Sequence, residues 1–146
     1  MTEPQRYFED IDPGDEFEEA WEAAPEHVQQ YVTLGQRNLE TMGRFRDAAG
    51  AREVGLQRPI VPGMMSLAVL TRLVTDWMGP QGRLHTMDVD FRRPVQQGDT
   101  LRVLGLITDT QEEDGRPTVK LDVYLENDRG ERPLQGVAIV QLPHRP

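Results

Sequence analysis

The sequence predicts an α+β fold in which an antiparallel sheet wraps around one long central helix. Two observations carry that expectation. The stretch after Pro62 holds Leu67, Ala68, Leu70, Leu73, Val74, Trp77 and Met78, apolar around most of a helical circumference before Gly79-Pro80 ends it. A helix of that kind is buried rather than laid on a surface. Everything after Gly82 then reads as strand, with alternation at Met87/Val89/Phe91, at Val119/Leu121/Val123/Leu125 and at Ala138/Val140/Leu142. Pattern alone does not distinguish among the folds that wrap one helix in a sheet.

In chain order, Pro13-Gly14-Asp15 is a turn that leads into a short first strand over 17–21. Pro25 suits the first position of a helix. Val28, Tyr31, Val32, Leu39, Met42 and Phe45 continue at helical spacing, with Gly35 as a break. Residues 48–57, which contain Gly50 and Gly55, read as a loop or a short irregular helix. Pro59 and Pro62 disfavour helix in the residues just before them, so the central helix begins after Pro62. Leu101 to Ile107 is a denser apolar run, and turns fall at Gln97-Gly98-Asp99, Glu113-Asp114-Gly115 and Asn127-Asp128-Arg129-Gly130. The short connections predict that the last three strands form an antiparallel meander.

A length of 146 residues suits one domain, 1–146, with one hydrophobic core. The absence of cysteine excludes disulfides, thiolate metal sites and cysteine nucleophiles. The formal net charge is −9, with acidic residues gathered at 9–26 and 109–114 and only small basic groups at Arg37/Arg44/Arg46 and Arg92-Arg93. Such a surface repels duplex nucleic acid, and no nucleic-acid partner is expected. No apolar run reaches the length of a membrane span, and Met1 to Arg6 is polar, without the apolar core of a signal peptide. The expectation is a cytoplasmic protein with no membrane partner, no metal and no cofactor.

Three stretches carry a resemblance to a known family. They are Tyr7-Phe8-Glu9-Asp10-Ile11-Asp12-Pro13-Gly14-Asp15, Pro59-Ile60-Val61-Pro62-Gly63-Met64, and Asp90-Phe91-Arg92-Arg93-Pro94-Val95 followed by Gly98-Asp99-Thr100-Leu101. In this order and spacing the chain resembles the MaoC-like hydratases and dehydratases, which act on acyl thioesters. The resemblance runs over almost the whole length and implies a hot-dog fold, a sheet curled around its central helix. The end of that helix, Thr75-Asp76-Trp77-Met78-Gly79-Pro80, is also similar to MaoC-like subunits of actinobacterial steroid side-chain degradation, in which two unlike hot-dogs pair.

The family's active motif is Gly-Asp-x-Asn-Pro-x-His, between the first helix and a His-Gly-Met turn. Hydration of an α,β-unsaturated thioester needs a base for the water and an acid for the α-carbon. It also needs hydrogen-bond donors for the developing enolate oxygen. The best local match is Gly35-Gln36-Arg37-Asn38-Leu39-Glu40-Thr41, with Gln36 at the aspartate position, Asn38 at the asparagine and Thr41 at the histidine. An ungapped count back from Gly63 instead puts Glu40 on the aspartate position and Phe45 on the histidine position. In either register the histidine is missing, because His27, His85 and His144 are the only histidines and none lies between Gly35 and Gly63. His27 reads as a solvated residue of the first helical turn, His85 as a strand-end residue, and His144 as part of a frayed terminus.

The weak catalytic candidates are therefore Glu40, Gln36 and Asn38. Gln36 cannot serve as a base near neutral pH; Glu40 serves only if desolvation raises its pKa, and beside Arg44 or Arg37 its simpler reading is an exposed helix-surface ion pair. In the family, backbone N–H groups at the start of the central helix face the thioester carbonyl, so the resemblance assigns substrate binding to Gly63, Met64 and Met65, with Arg44 nearby. A helix start has unpaired donors and a positive dipole end, whereas Pro62, in place of the usual histidine, donates nothing.

Three readings follow. The first is a catalytically impaired or accessory subunit that binds an acyl-CoA or acyl-carrier thioester and completes the pocket of a partner. The second is an active lyase of the enoyl-CoA hydratase or 3-hydroxyacyl dehydratase type, with a rearranged site using Glu40. The third is a non-enzymatic binding or assembly module. Hot-dogs commonly pair through a sheet edge, so a homodimer, or a heterodimer with another hot-dog subunit, is expected.

Overall fold

The computed structural model describes residues 4–35 and 43–146. A single 3-10 turn at Phe8–Asp10 precedes β1 (Glu16–Glu22), α1 (Pro25–Gly35), α2 (Ala48–Glu53), α3 (Gly63–Met78), β2 (Arg83–Phe91), β3 (Thr100–Glu113), β4 (Arg116–Glu126) and β5 (Leu134–Gln141). The five strands form one sheet in the order β1-β3-β4-β5-β2, with every neighbouring pair antiparallel. The meander β3-β4-β5 is present as the turn spacing predicts. The α3 helix packs against all five strands, the hot-dog arrangement that the resemblance implies.

Alternation decides which face of the sheet is covered. In β4, Val119, Leu121, Val123 and Leu125 are fully buried while Lys120 and Asp122 between them are exposed. Opposite them, α3 buries Leu70, Leu73, Val74 and Trp77. The Trp77 ring stacks on Phe17 of β1, with centroids 4.6 Å apart and planes 3° from parallel. Phe17 in turn lies over Gly105, where a Cβ would fall 2.4 Å from the ring. The stack therefore ties an edge strand to the helix end and adds about 0.5–1.5 kcal/mol beyond area burial. Gly79 ends α3 with φ +78°, a conformation that glycine adopts without steric cost.

Three sequence expectations are corrected. The α3 helix is not buried all round: Met64 is 65% exposed, and Ala68 and Arg72 on the same side are exposed too. The sheet reaches only part of the circumference, so the apolar content of the helix exceeds what this chain covers. The α1 helix is described over Pro25–Gly35, up to the residue read as a break, and Phe45, read at helical spacing, sits instead in a short 3-10 turn over 43–45.

His144 is not frayed. Its Nδ1 lies 2.6 Å from Glu9 Oε1 and its Nε2 2.7 Å from Glu112 Oε1. The backbone N–H of Arg145 donates to Glu9 Oε2 at 2.9 Å, and its guanidinium pairs with Asp10. Leu142 is buried and Phe8 N–H donates to Pro143 O at 3.0 Å, which lays the C-terminal segment beside the N-terminal turn.

Candidate functional site

A cavity of about 410 Å³ lies at the N-terminal end of α3. Its walls come from three backbone segments, at 44–45, 60–61 and 91–95. Hydrogen bonds between these segments hold them together. Ile60 N–H donates to Arg44 O at 2.9 Å, and Val61 N–H to Val95 O at 2.8 Å. The buried Gln97 amide donates to both Phe45 O (2.7 Å) and Ile60 O (3.0 Å), and Gln29 on α1 adds a second donor to Phe45 O at 2.6 Å. Phe45, Ile60, Val61, Val95 and Leu134 make the cavity largely apolar.

The α2 helix supports the first wall from outside. Its N-cap Asp47 accepts from Gly50 N–H at 2.7 Å. That bond, followed by the Arg46 guanidinium, holds the Asp47 carboxyl below the usual range. Gly50 approaches Gly43 so closely that a Cβ would stand 2.2 Å from the Gly43 carbonyl oxygen. Only glycine allows this backbone contact.

The end of α3 supplies polarity to the cavity. Pro62 O accepts from Met65 N–H (3.0 Å) and Ser66 N–H (3.2 Å). Gly63 N–H and Met64 N–H have no acceptor among the described residues. The expectation of open donors at Gly63, Met64 and Met65 is thus corrected at Met65, whose N–H closes a 3-10-type turn onto Pro62. Two donors remain, at the positive end of the helix dipole. Ser66, one turn in, also lines the cavity; it is 99% buried, and its Oγ has no hydrogen-bond partner. Nothing in the sequence marked Ser66, because a serine in a first helical turn is ordinarily a surface residue.

Arg44, Arg92 and Arg93 also line the cavity. Arg93 pairs with Glu131, whose carboxyl is held low first by the Asn127 amide and then by Arg129. Behind the Gln97-Gly98-Asp99 turn, Asp99 is buried and accepts from Arg129 Nη2 at 2.9 Å and Arg58 Nη2 at 3.2 Å. Bonding to Asp99, then to Glu131, raises the Arg129 pKa further. This network anchors the turn after the third wall.

Of the sequence candidates, the structure brings Gly63 and Arg44 to the cavity. Gln36, Asn38 and Glu40 lie outside the described residues, as do Arg37 and Thr41. None of the three histidines lines the cavity. His85 Nε2 instead meets Gln141 Oε1 at 3.0 Å. Among the described lining residues there is no carboxylate, histidine or lysine. Those residues can polarise a carbonyl and enclose an apolar chain, but they hold no acid–base pair. Among the described residues no cluster of His, Asp and Glu is suited to a metal ion, and no helix is long and apolar enough to cross a membrane.

The family model for the MaoC-like domain matches residues 46–128, more than half of the chain. No curated protein matches it in sequence. Among solved structures, the R-hydratase PhaJ1 of Pseudomonas aeruginosa is similar with a TM-score of 0.81 and 23% identity, over 95% of this chain and 86% of that one. The (R)-hydratase of A. caviae involved in PHA biosynthesis gives 0.78 and 22%, over 91% and 98% of the two chains. The ChsH1-ChsH2 complex of Mycobacterium tuberculosis gives 0.75 and 18%, over 90% and 98%. At these identities the likeness is one of fold.

Proposed function

We propose that this chain, which belongs to the MaoC-like domain family, is an acyl-thioester-binding hot-dog subunit, one domain over residues 1–146, that lacks its own acid–base pair. The observation that carries this is the cavity: Gly63, whose N–H is open, lines an apolar chamber whose described walls hold no proton-transfer group, and a second open N–H, at Met64, adjoins it in the chain. In the cytoplasm it would bind a CoA or acyl-carrier thioester, with the carbonyl oxygen on the helix donors and the acyl chain among Phe45, Ile60, Val95 and Leu134.

A second hot-dog subunit, identical or unlike, would complete the catalytic site. The sheet order leaves β1 and β2 as edges, which supports pairing through an edge. That a solved structure of similar fold is a two-component complex supports it further. The test is an assay of the purified chain with crotonyl-CoA and longer 2-enoyl-CoAs, alongside calorimetric binding. Binding without turnover is expected. Rapid hydration by this chain alone rejects the accessory reading, and absence of any binding rejects the thioester reading in favour of a structural or assembly role.

One observation keeps a second reading in play. Arg44 and Phe45, which line the cavity, follow shortly after Glu40 in the chain. If Glu40 acts as the base, the chain hydrates enoyl-CoA by itself and Glu40→Gln abolishes turnover; undiminished turnover by that variant rejects the reading.

A further inference from the structure

We infer that Gln97, which does not itself line the cavity, is the positioning residue that sets the room for the acyl chain, by holding the first wall against the second. This rests on the thioester reading above and adds to it a residue that acts on the ligand through its neighbours.

The three walls are not held alike. The second and third are joined by backbone bonds, Val61 N–H to Val95 O at 2.8 Å and Gln97 N–H to Pro59 O at 3.0 Å, around a bridge between Ile60 and Gln96. These bonds do not depend on side chains. Between the first wall and the others, one backbone bond is present among the described residues, from Ile60 N–H to Arg44 O. Side-chain amides make the rest of the tie. An amide nitrogen carries two donors, and Gln97 Nε2 has an acceptor for each, Phe45 O in the first wall and Ile60 O in the second. Gln29 meets Phe45 O alone. Gln97 is therefore the side chain that bridges both walls among the described residues.

Burial makes the bridge exacting. Gln97 is 6% exposed, and a buried carbonyl that loses its donor is costly, so the wall shifts when the amide is removed. What shifts with it is the Phe45 ring and the Arg44 guanidinium, which lies 5.3 Å from that ring's centroid. Both residues line the cavity. A two-carbon acyl group stops at the helix donors, whereas an eight-carbon one runs on among Phe45 and Ile60. Displacement of the first wall therefore acts on the long chain and spares the short one.

The test is calorimetry with acetyl-CoA and octanoyl-CoA, together with thermal unfolding, on the wild-type chain and on Gln97→Met and Gln97→Glu. Methionine is similar in length and has no donor. Gln97→Met is expected to bind octanoyl-CoA about tenfold more weakly, with acetyl-CoA within about twofold of wild type. In Gln97→Glu, burial and the two facing carbonyl oxygens disfavour the anion, and the neutral acid restores one donor. Its octanoyl-CoA deficit, taken against wild type at each pH, should shrink severalfold from about pH 8.5 to about pH 5.5. Phe17→Leu, which loosens the stack at the far end of α3, should lower the unfolding midpoint and leave the ratio of the two affinities as in wild type.

Equal weakening toward both ligands, unchanged affinity in Gln97→Met, a deficit in Gln97→Glu that ignores pH, a shifted affinity ratio in Phe17→Leu, or failure of both Gln97 variants to fold overturns the inference alone. Failure of the wild-type chain to bind either ligand overturns the thioester reading and this inference with it.

Discussion

The Phe91 ring lies over Gly63: a methyl group placed on Gly63 would stand 3.2 Å from Phe91 Cε1. The end of β2 and the start of α3 thus share one side of the cavity, and Phe91 is only half buried, so its ring has room to give. Gly63→Ala should leave the fold intact, since alanine favours helix over glycine by up to about 1 kcal/mol, while pressing the ring into the cavity. Affinity for butyryl-CoA should fall severalfold and be restored in Gly63→Ala/Phe91→Ala. Calorimetry of the two variants checks this; equal affinities in wild type and Gly63→Ala would show that the ring does not shape the site.

The contact between Gly50 and Gly43 is less forgiving. The atom that a Cβ at Gly50 would meet is a backbone oxygen at 2.2 Å, which cannot swing aside. Gly50→Ala should destabilise the protein by about 1–3 kcal/mol despite the better helix propensity, because α2 must move away from the 43–45 wall. Urea unfolding measures the loss. A variant as stable as wild type would mean that α2 can separate from that wall without cost.

Asp99 is 93% buried, yet both of its arginine partners are about half exposed. Removing the carboxylate in Asp99→Ala leaves two solvated guanidinium groups rather than two buried ones. The expected cost is therefore about 1–3 kcal/mol and not the larger penalty of a stranded internal charge. Unfolding in 1 M salt should retain most of that difference, since a buried acceptor is screened weakly.

The C-terminal segment should respond to pH on both sides of a window. Glu9 is held down from 4.5 to about 2, first by Arg145 N–H and then by His144. His144 is raised above 6.5, first by Glu9 and then by Glu112. A carboxyl lowered on folding contributes stability that is present above 4.5 and lost as pH falls toward 2. A histidine raised on folding contributes stability that is complete below 6.5 and lost as pH rises through its folded value. The segment is thus held best between about 4.5 and 6.5. Amide exchange at Arg145 should speed up on either side, and His144→Gln should remove the alkaline limb and weaken the acid one, since His144 also helps to hold Glu9 down.

The sheet was legible in the sequence because one face is covered and the other is not, which writes itself as alternation in β4 and β5. The α3 helix was legible as a helix and misjudged in burial. Met64 and Ala68 report how much apolar surface the helix carries, not what lies against it. The cavity was legible only at the glycine that starts α3 and at Arg44. Ser66 became visible only when residues 45, 61, 95 and 134, distant in sequence, closed around it. His144 escaped notice for a similar reason: its carboxylate partners lie 135 and 32 residues away, and no local pattern records them.

The arginines at the cavity stand on a chain whose net charge is −9. An anion diffusing across this surface is turned back over most of it and drawn in at one place, where Arg44 and Arg92 sit beside the Glu131-tethered Arg93. Such a layout acts on the rate of arrival more than on the length of stay. At 0.15 M salt the reach of these charges shrinks to about 8 Å, so capture becomes a matter of the last few ångströms of approach. A phosphorylated carrier would arrive slowly in brine and quickly in dilute buffer, with little change in how fast it leaves.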